Sequence, residues 1–264
     1  MTTTAPQFAG SIPETYETYF APVLFEPYSR ELARRIPPEA TRILEIAAGT
    51  GRLSRRLLDN MPARTELVVT DLHQPMLDVA SSRIHDSRAR FQQADMLELP
   101  FIDGTFDAVF CQFGLMFAPD KPLAMREMHR VLRPGGTLVV AVWDTLANNP
   151  ASELLHRMAF ALMPDDPPVF MARPFSMADS QELLALAQDF ASAHVDTVML
   201  PGVSESASHF ATGLVRGNPL YNQLVERRID ADAFQAQVAA ALASEFGDSP
   251  CKSQLSAHIL TAVA

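Results

Sequence analysis

The chain has 264 residues, 48% of them hydrophobic, which is enough to bury one α/β core with a small cap grown from it. Thirty-one acidic residues against 21 basic ones give a formal charge of −10, and this opposes the counterion displacement that a phosphate backbone demands, so no nucleic-acid partner is expected. The only cysteines, Cys111 and Cys251, form no CxxC pair, which excludes a disulfide framework and thiolate metal chemistry.

Residues 11–35 carry Tyr16, Tyr19, Phe20, Phe25 and Tyr28 among prolines and read as an ordered aromatic arm. From Ile43 to Trp143 short apolar runs alternate with helix-period segments, the pattern of a parallel sheet covered by helices. Strands are expected at 42–46, 66–70, 89–92, 106–112 and 137–142, each near continuous in apolar character as a strand covered on both faces should be. Helices at 52–60, 75–84 and 122–132 fill the gaps. The last runs into Arg133-Pro134-Gly135-Gly136, where proline cannot continue a helix and glycine supplies a left-handed turn before the next strand. Beyond Trp143, helices expected at 152–163 and 179–188 flank a bend rich in proline. Two more strands, at 193–199 and 254–263, are separated by a largely helical stretch that includes 231–246. The expected architecture is α/β: a three-layer sandwich with a mostly parallel seven-stranded sheet, helices on both faces and a small helical cap. All of it is expected as one domain, with its core at 36–145, the arm at 11–35 and cap elements at 150–190 and 201–250.

The most informative run is Ile43-Leu44-Glu45-Ile46-Ala47-Ala48-Gly49-Thr50-Gly51-Arg52-Leu53, an apolar strand entering a glycine turn and then a helix. Gly49 and Gly51 lack the Cβ that would hold a ligand away from the backbone, and amides freed at the helix start point at that ligand. The same run also reads as an ordinary tight strand-to-helix turn. Asp71 ends the second strand, where its carboxylate either accepts from the vicinal hydroxyls of a ribose or caps a turn. Asp95, in Gln93-Ala94-Asp95-Met96, is placed to accept from an adenine amino group while Met96 covers the ring; for Met96, core packing is the alternative.

In the order of these motifs the sequence resembles the class I S-adenosylmethionine (SAM)-dependent methyltransferases, and within them the bacterial small-molecule branch related to ubiquinone and menaquinone methyltransferases. The resemblance covers about Ile43 to Trp143. The family's glycine loop is matched by Glu45-Ile46-Ala47-Ala48-Gly49-Thr50-Gly51, its ribose acid by Asp71 with Met76 one helix turn on, and its adenine acid by Asp95. Further matches are Phe101-Ile102-Asp103-Gly104-Thr105-Phe106-Asp107, Gln112-Phe113-Gly114-Leu115 and Val131-Leu132-Arg133-Pro134-Gly135-Gly136. Where the family often has glycine this chain has Ala47, which implies tuned affinity. The run Tyr16-Glu17-Thr18-Tyr19-Phe20-Ala21-Pro22-Val23-Leu24-Phe25 resembles an arm that folds over the cofactor, with packing against the sheet the equal alternative for Tyr19 and Phe25. The resemblance implies a Rossmann-like fold, SAM as cofactor, and a cofactor site drawn from Tyr19, Phe25, Glu45, Ala47, Gly49, Gly51, Asp71, Leu72, Met76, Asp95, Met96, Gln112 and Phe113.

Methyl transfer is an in-line displacement from a sulfonium that becomes neutral, so alignment and exclusion of water are the main tasks and no metal is required. A phenol or protonated amine as acceptor would gain from a general base, for which histidine is suited. Among the histidines, His85 and His129 read as solvated, His73 as a neighbour of the adenosine and His258 as part of a late strand. His156 and His209, in the cap, are the candidate bases, with a structural role as the alternative for each. Trp143, Phe20, Met163 and Phe175 are candidate acceptor contacts, with a core role an equally good reading for Trp143 and plain packing of the cap the alternative for Met163 and Phe175. The reaction expected is transfer of a methyl group to an O, N or C atom of a small, fairly apolar acceptor, aromatic or heteroaromatic.

Two other readings compete. A nicotinamide-dependent dehydrogenase shares the glycine turn and following acid, but its third glycine would fall at Ser54. A SAM-binding protein of the same fold with lyase or cyclase chemistry, or with none, stays open. The expected partner is a small-molecule acceptor, without nucleic acid or membrane, for a monomer or homodimer. No apolar run reaches the roughly 18 residues of a membrane span, and residues 1–10 lack the order of a signal peptide, so the expected location is the cytoplasm.

Overall fold

Short runs of branched and aromatic residues build the parallel part of a sheet: β1 (Arg42–Ile46), β2 (Glu66–Asp71), β3 (Ala89–Gln93), β4 (Phe106–Gln112) and β5 (Leu132–Trp143). With β6 (Ser192–Ser204) and β7 (Cys251–Val263) they form a seven-stranded sheet in the order β3-β2-β1-β4-β5-β7-β6. The computed structural model describes residues 12–264; Ser11 of the expected arm, and residues 1–10 with the expected lack of a signal peptide, lie outside the described residues. Register is continuous where strands pair in parallel, with Leu44 opposite Val68 on one side and Val109 on the other. β7 runs antiparallel to β5, placing Val140 opposite Leu260 and making the sheet mixed.

Burial follows position in the sheet. β1 and β2 are buried after their first residue, and β4 until its last. β3 corrects the expectation of a near-continuous apolar strand: it is the sheet's edge, and Arg90, Gln92 and Gln93 face solvent there. Helices Arg52–Asn60, Gln74–Arg83 and Lys121–Val131 connect the parallel strands. The first buries Leu53, Leu57 and Leu58, one stripe of its surface. The third starts at Asp120, whose side chain accepts from the Leu123 amide at 2.8 Å, with Pro122 in the first turn where its missing N–H costs nothing.

That helix ends one residue sooner than its sequence suggests, because Leu132 already pairs with Phe106. The next pair is Ala108 with Thr137, so Arg133-Pro134-Gly135-Gly136 is an irregularity within β5 rather than a turn ahead of it. Gly135 takes φ of 79°, as expected of a left-handed position, and its amide donates to the carbonyl of Ala264 at 2.7 Å.

The chain divides into two compact units. One comprises Tyr28–Thr145, Arg173–Val198 and Ser256–Ala264, and holds the parallel strands. In it the chain runs from β1 outward to β3 and then crosses back to β4 and β5, so the carboxyl ends of β1 and β4 are neighbours at the point where strand order reverses, the usual location of a ligand crevice. The other comprises residues 12–27 together with Leu146–Ala172 and Met199–Leu255, and is mainly helical, with Pro150–Leu162, Ala207–Arg216, Leu220–Glu226 and Ala231–Phe246. There the π-helical turn Tyr16–Phe20 packs on helix Ala207–Arg216 so closely that a Cβ on Gly213 would stand 2.6 Å from the carbonyl oxygen of Tyr19.

Candidate functional site

The loop after β1 uses three left-handed residues, Ala47 (φ 55°), Gly49 (φ 56°) and Gly51 (φ 81°). The two glycines have different jobs. A Cβ on Gly51 would stand 2.8 Å from Ile84 Cδ1 and 3.0 Å from Ala80 Cβ, so this glycine lets the loop close on helix Gln74–Arg83. A Cβ on Gly49 would meet nothing within 4 Å, so the open space lies over Gly49. Ala47 holds the same handedness with a side chain, a strain of about 1 kcal/mol.

Asp71 closes this loop from β2. Its Oδ2 accepts from the Gly49 amide at 2.8 Å and its Oδ1 from the His73 amide at 2.9 Å. A carboxylate offers about four acceptor directions; two are used here, and the others remain for donors such as a vicinal diol. Beside it Leu72 is 51% exposed and Met76 is half-buried. Asp95 is exposed, and its Oδ1 accepts from the Leu97 amide at 2.9 Å. The loop that follows is stapled by Arg130, which donates to the carbonyls of Leu99 and Phe101 at 2.9 and 2.7 Å, while Glu127 accepts from the Leu99 amide at 2.8 Å.

Glu45 is wholly buried. Burial is the largest cause pushing its carboxyl up to about 8, with the charge of Asp71 adding to it and the hydrogen bond with Ser54 opposing. Glu45 Oε2 and Ser54 Oγ are 2.5 Å apart, so this pair ties β1 to helix Arg52–Asn60 at the position where a dinucleotide fingerprint would set its third glycine.

At the end of β4, Gln112 is half-buried and Phe113 is left-handed, with φ of 54°. The Phe113 ring stacks on Trp143 with centroids 3.9 Å apart and planes within 7°, and Tyr28 stands edge-on to both. Phe175 lies 6.4 Å from Trp143, ring centre to ring centre. Burial pushes the Tyr28 phenol far up, and its hydroxyl donates to the carbonyl of Val198 at 2.8 Å. Gly114 has a role that sequence reasoning missed: a Cβ there would stand 2.4 Å from Ala47 Cβ and 3.7 Å from Met96 Cε. The loops after β1, β3 and β4 therefore meet at Gly114, and the clue was a glycine directly after the apolar run of β4. Cys111, pushed up to about 12 by burial, is inert.

The remaining candidates belong to the helical unit. Tyr19 packs on His209 with ring centres 4.5 Å apart, and His209 Nδ1 lies 3.2 Å from Ser204 Oγ. Phe20 and Phe25 pack on each other at 5.8 Å and both on Tyr16. His156 stacks on Phe160 at 4.0 Å; burial lowers its pKa against the pull of Glu153, and its Nε2 has no hydrogen-bond partner. Met163 is buried. Among the described residues no group of three or more His, Cys, Asp or Glu is placed to hold a metal, and no helix is long and apolar enough to cross a membrane.

A family model described as a methyltransferase domain matches residues 44–140. The chain is 33% identical over 176 residues to a ubiquinone/menaquinone biosynthesis C-methyltransferase of Cellvibrio japonicus, covering 65% of this chain and 68% of that protein. It is 38% identical over 127 residues to the protein of the same description from Pseudomonas savastanoi pv. phaseolicola, where 47% of this chain spans about half, 50%, of the relative. Among solved structures, a Haemonchus contortus phosphoethanolamine N-methyltransferase 2 in complex with S-adenosyl-L-methionine superposes with a TM-score of 0.59 at 18% identity, covering 95% of this chain and 56% of that one, a likeness of fold.

Proposed function

The chain belongs to the class I SAM-dependent methyltransferases of the ubiquinone/menaquinone type, and from that membership we propose that it methylates a ring carbon of a small, apolar acceptor of the quinol class. SAM is the family's cofactor, and when bound it supplies an electrophilic methyl group on a sulfonium. The residues at the carboxyl edge of the sheet fit it. Gly49 leaves open space above its backbone, Asp71 keeps acceptor capacity for a ribose diol, and Leu72, Met76 and Met96 offer apolar surface for an adenine whose amino group Asp95 takes. Gln112 and the backbone of Phe113, at the end of β4, would take the amino-acid end of the cofactor.

One observation carries the choice of acceptor. Phe113 belongs to two structures at once: its chain runs directly into Gly114, which abuts the Ala47 loop, and its ring is stacked on Trp143 with Tyr28 and Phe175 around it. Tyr28, Phe113 and Trp143 are themselves buried; a cluster of flat apolar rings joined to a cofactor loop suits a flat apolar ring, and the name of the C-methyltransferase relatives agrees with a quinone-type substrate. An electron-rich quinol carbon attacks without a strong base, so the work of the chain's residues is alignment and exclusion of water.

Calorimetric titration with SAM, S-adenosylhomocysteine and NADH tests the cofactor first, and micromolar binding of the first two with none of the third is expected. Incubation with SAM and a demethylated 1,4-naphthoquinol or 1,4-benzoquinol then tests the acceptor, with the site of the added methyl read by NMR. S-adenosylhomocysteine forming only with catechols or amines would move the acceptor out of the quinol class, and a protein that binds NADH but not SAM would end the proposal.

A further inference from the structure

Within the unit that carries the parallel strands, a second group of buried polar side chains sits one residue past Trp143. Asp144, Ser256 and His258 are each no more than 5% exposed. Ser256 Oγ donates to Asp144 Oδ2 at 2.8 Å, the Thr145 amide donates to Asp144 Oδ1 at 2.6 Å, and the Asp144 amide donates to the Ser256 carbonyl at 3.2 Å. His258 is paired across the strands with Val142. Its Nε2 lies 3.0 Å from the carbonyl oxygen of Ala178 and 3.3 Å from Asp144 Oδ1, and its Nδ1 lies 2.9 Å from Thr197 Oγ1.

Both neighbours of Nε2 only accept, so Nε2 carries a proton, and in the neutral ring Nδ1 accepts the Thr197 hydroxyl. No ring nitrogen is left over for a substrate, which removes His258 as a general base and makes it a joint. It ties together the end of β5 through Asp144, β6 through Thr197, and the segment just after Phe175 through Ala178. Side chains alternate along a strand, so Val142, Asp144 and His258 share one face and Trp143 points to the other. The imidazole therefore acts on the Trp143 indole only by fixing the backbone on either side of it.

We infer that His258, with Asp144 and Ser256, is a positioning residue that sets the place of Trp143 and Phe175 and thereby the fit of the acceptor, without touching acceptor or cofactor. The inference rests on the reading of those rings as the acceptor wall. Its structural half does not depend on any substrate, because Trp143 is the sole tryptophan of the chain and its emission reports that wall alone.

The test compares wild type, His258→Phe and His258→Gln. His258→Phe removes all three links; a red-shifted Trp143 emission, acrylamide quenching raised about twofold, and a KM for a 1,4-naphthoquinol probe raised roughly tenfold are expected, the size of effect of losing a hydrogen bond to a charged group. Its kcat and its affinity for S-adenosylhomocysteine should stay near wild type. His258→Gln, whose amide donates to the same acceptors, should recover most of the emission and KM. If the Phe variant does not fold, Asp144→Asn and Ser256→Ala open the same joint from its other side and are read in the same way. Folded variants with wild-type emission, quenching and KM would overturn the inference, as would a loss of S-adenosylhomocysteine affinity in step with KM. Failure of the wild-type protein to bind S-adenosylhomocysteine would instead sink the reading of the cofactor site and leave the Trp143 measurement to decide the joint.

Discussion

At the amino end of β4 Asp107 is filled with donors, whereas at the carboxyl end of β2 Asp71 is only half filled. Asp107 Oδ2 accepts from the Thr41 amide at 2.5 Å, the Thr41 hydroxyl at 2.8 Å and the Arg42 amide at 2.9 Å, and its Oδ1 faces Arg133 Nη1 at 2.8 Å. Burial, the largest influence, would raise its pKa, but these donors together outweigh it and hold the carboxyl below its ordinary value of 3.8. Asp71 has one amide on each oxygen, with His73 Nδ1 3.6 Å from Oδ1 and beyond hydrogen-bond reach, and is about as buried. Both are acids at strand ends of one sheet. The difference teaches that the number of directions already spent separates a carboxylate that holds the fold from one that can hold a ligand.

The comparison breaks most visibly at Asp107. Asp107→Ala leaves the Thr41 and Arg42 amides and the half-exposed Arg133 without their shared acceptor and should cost about 2 kcal/mol of stability in urea unfolding, while the folded fraction keeps its affinity for S-adenosylhomocysteine. A carboxyl with a lowered pKa contributes stability that is present above its unfolded value and lost as pH falls, so wild type should lose more stability than the variant below about pH 4. Next comes Asp71→Ala, expected to weaken S-adenosylhomocysteine by roughly 1 to 3 kcal/mol in calorimetry with a smaller loss of stability than at Asp107. Unchanged affinity there would erase the distinction between the two acids.

Gly114→Ala sharpens the comparison from a neighbouring loop. Its new Cβ collides with Ala47 and should cost about 1 to 2 kcal/mol, with cofactor affinity falling as the Ala47 loop is pushed aside; a variant as stable and as tight as wild type would show that the loops after β1 and β4 are not in contact. The last effect is one of slope and not of size at a single pH, at Glu45→Gln. The folded carboxyl sits near 8 against 4.5 unfolded, so between about pH 5 and 8 the unfolded chain has released a proton that the folded chain keeps, and wild-type stability should fall with rising pH through that window. Glutamine keeps a hydrogen bond to Ser54 and should flatten the slope; equal slopes in urea midpoints would mean that Glu45 is ionised in the fold.

Much of this was legible in advance. β1, β2, β4 and the helices between the parallel strands lie where apolar runs and helix-period segments placed them, because those signals are local, while β3 is not apolar and β5 begins five residues early. The glycine loop and Asp71 were legible for the same reason, as a strand end, a turn and a strand end in one unbroken pattern. Asp144 was missed although Trp143 beside it was noted, and His258 was read only as a strand residue, because nothing in either segment names the other. Gly114 stood inside a quoted motif without a role, since the Cβ it must avoid belongs to Ala47, on another loop.

By itself the sequence determined the alternation of strands and helices, the glycine turn after β1, the left-handed glycine after Arg133-Pro134, and the acids that end β2 and follow β3, all of which depend on a few consecutive residues. The tertiary structure alone decided that Gly51 serves packing while Gly49 stays open, that Arg133-Pro134-Gly135-Gly136 is absorbed into β5, that β3 is a half-exposed edge, and that His258 meets Asp144. Each of these follows from which strands become neighbours. Placing β4 beside β1 and β7 beside β5 is a choice made by the burial of whole faces, and no local pattern of residues encodes it.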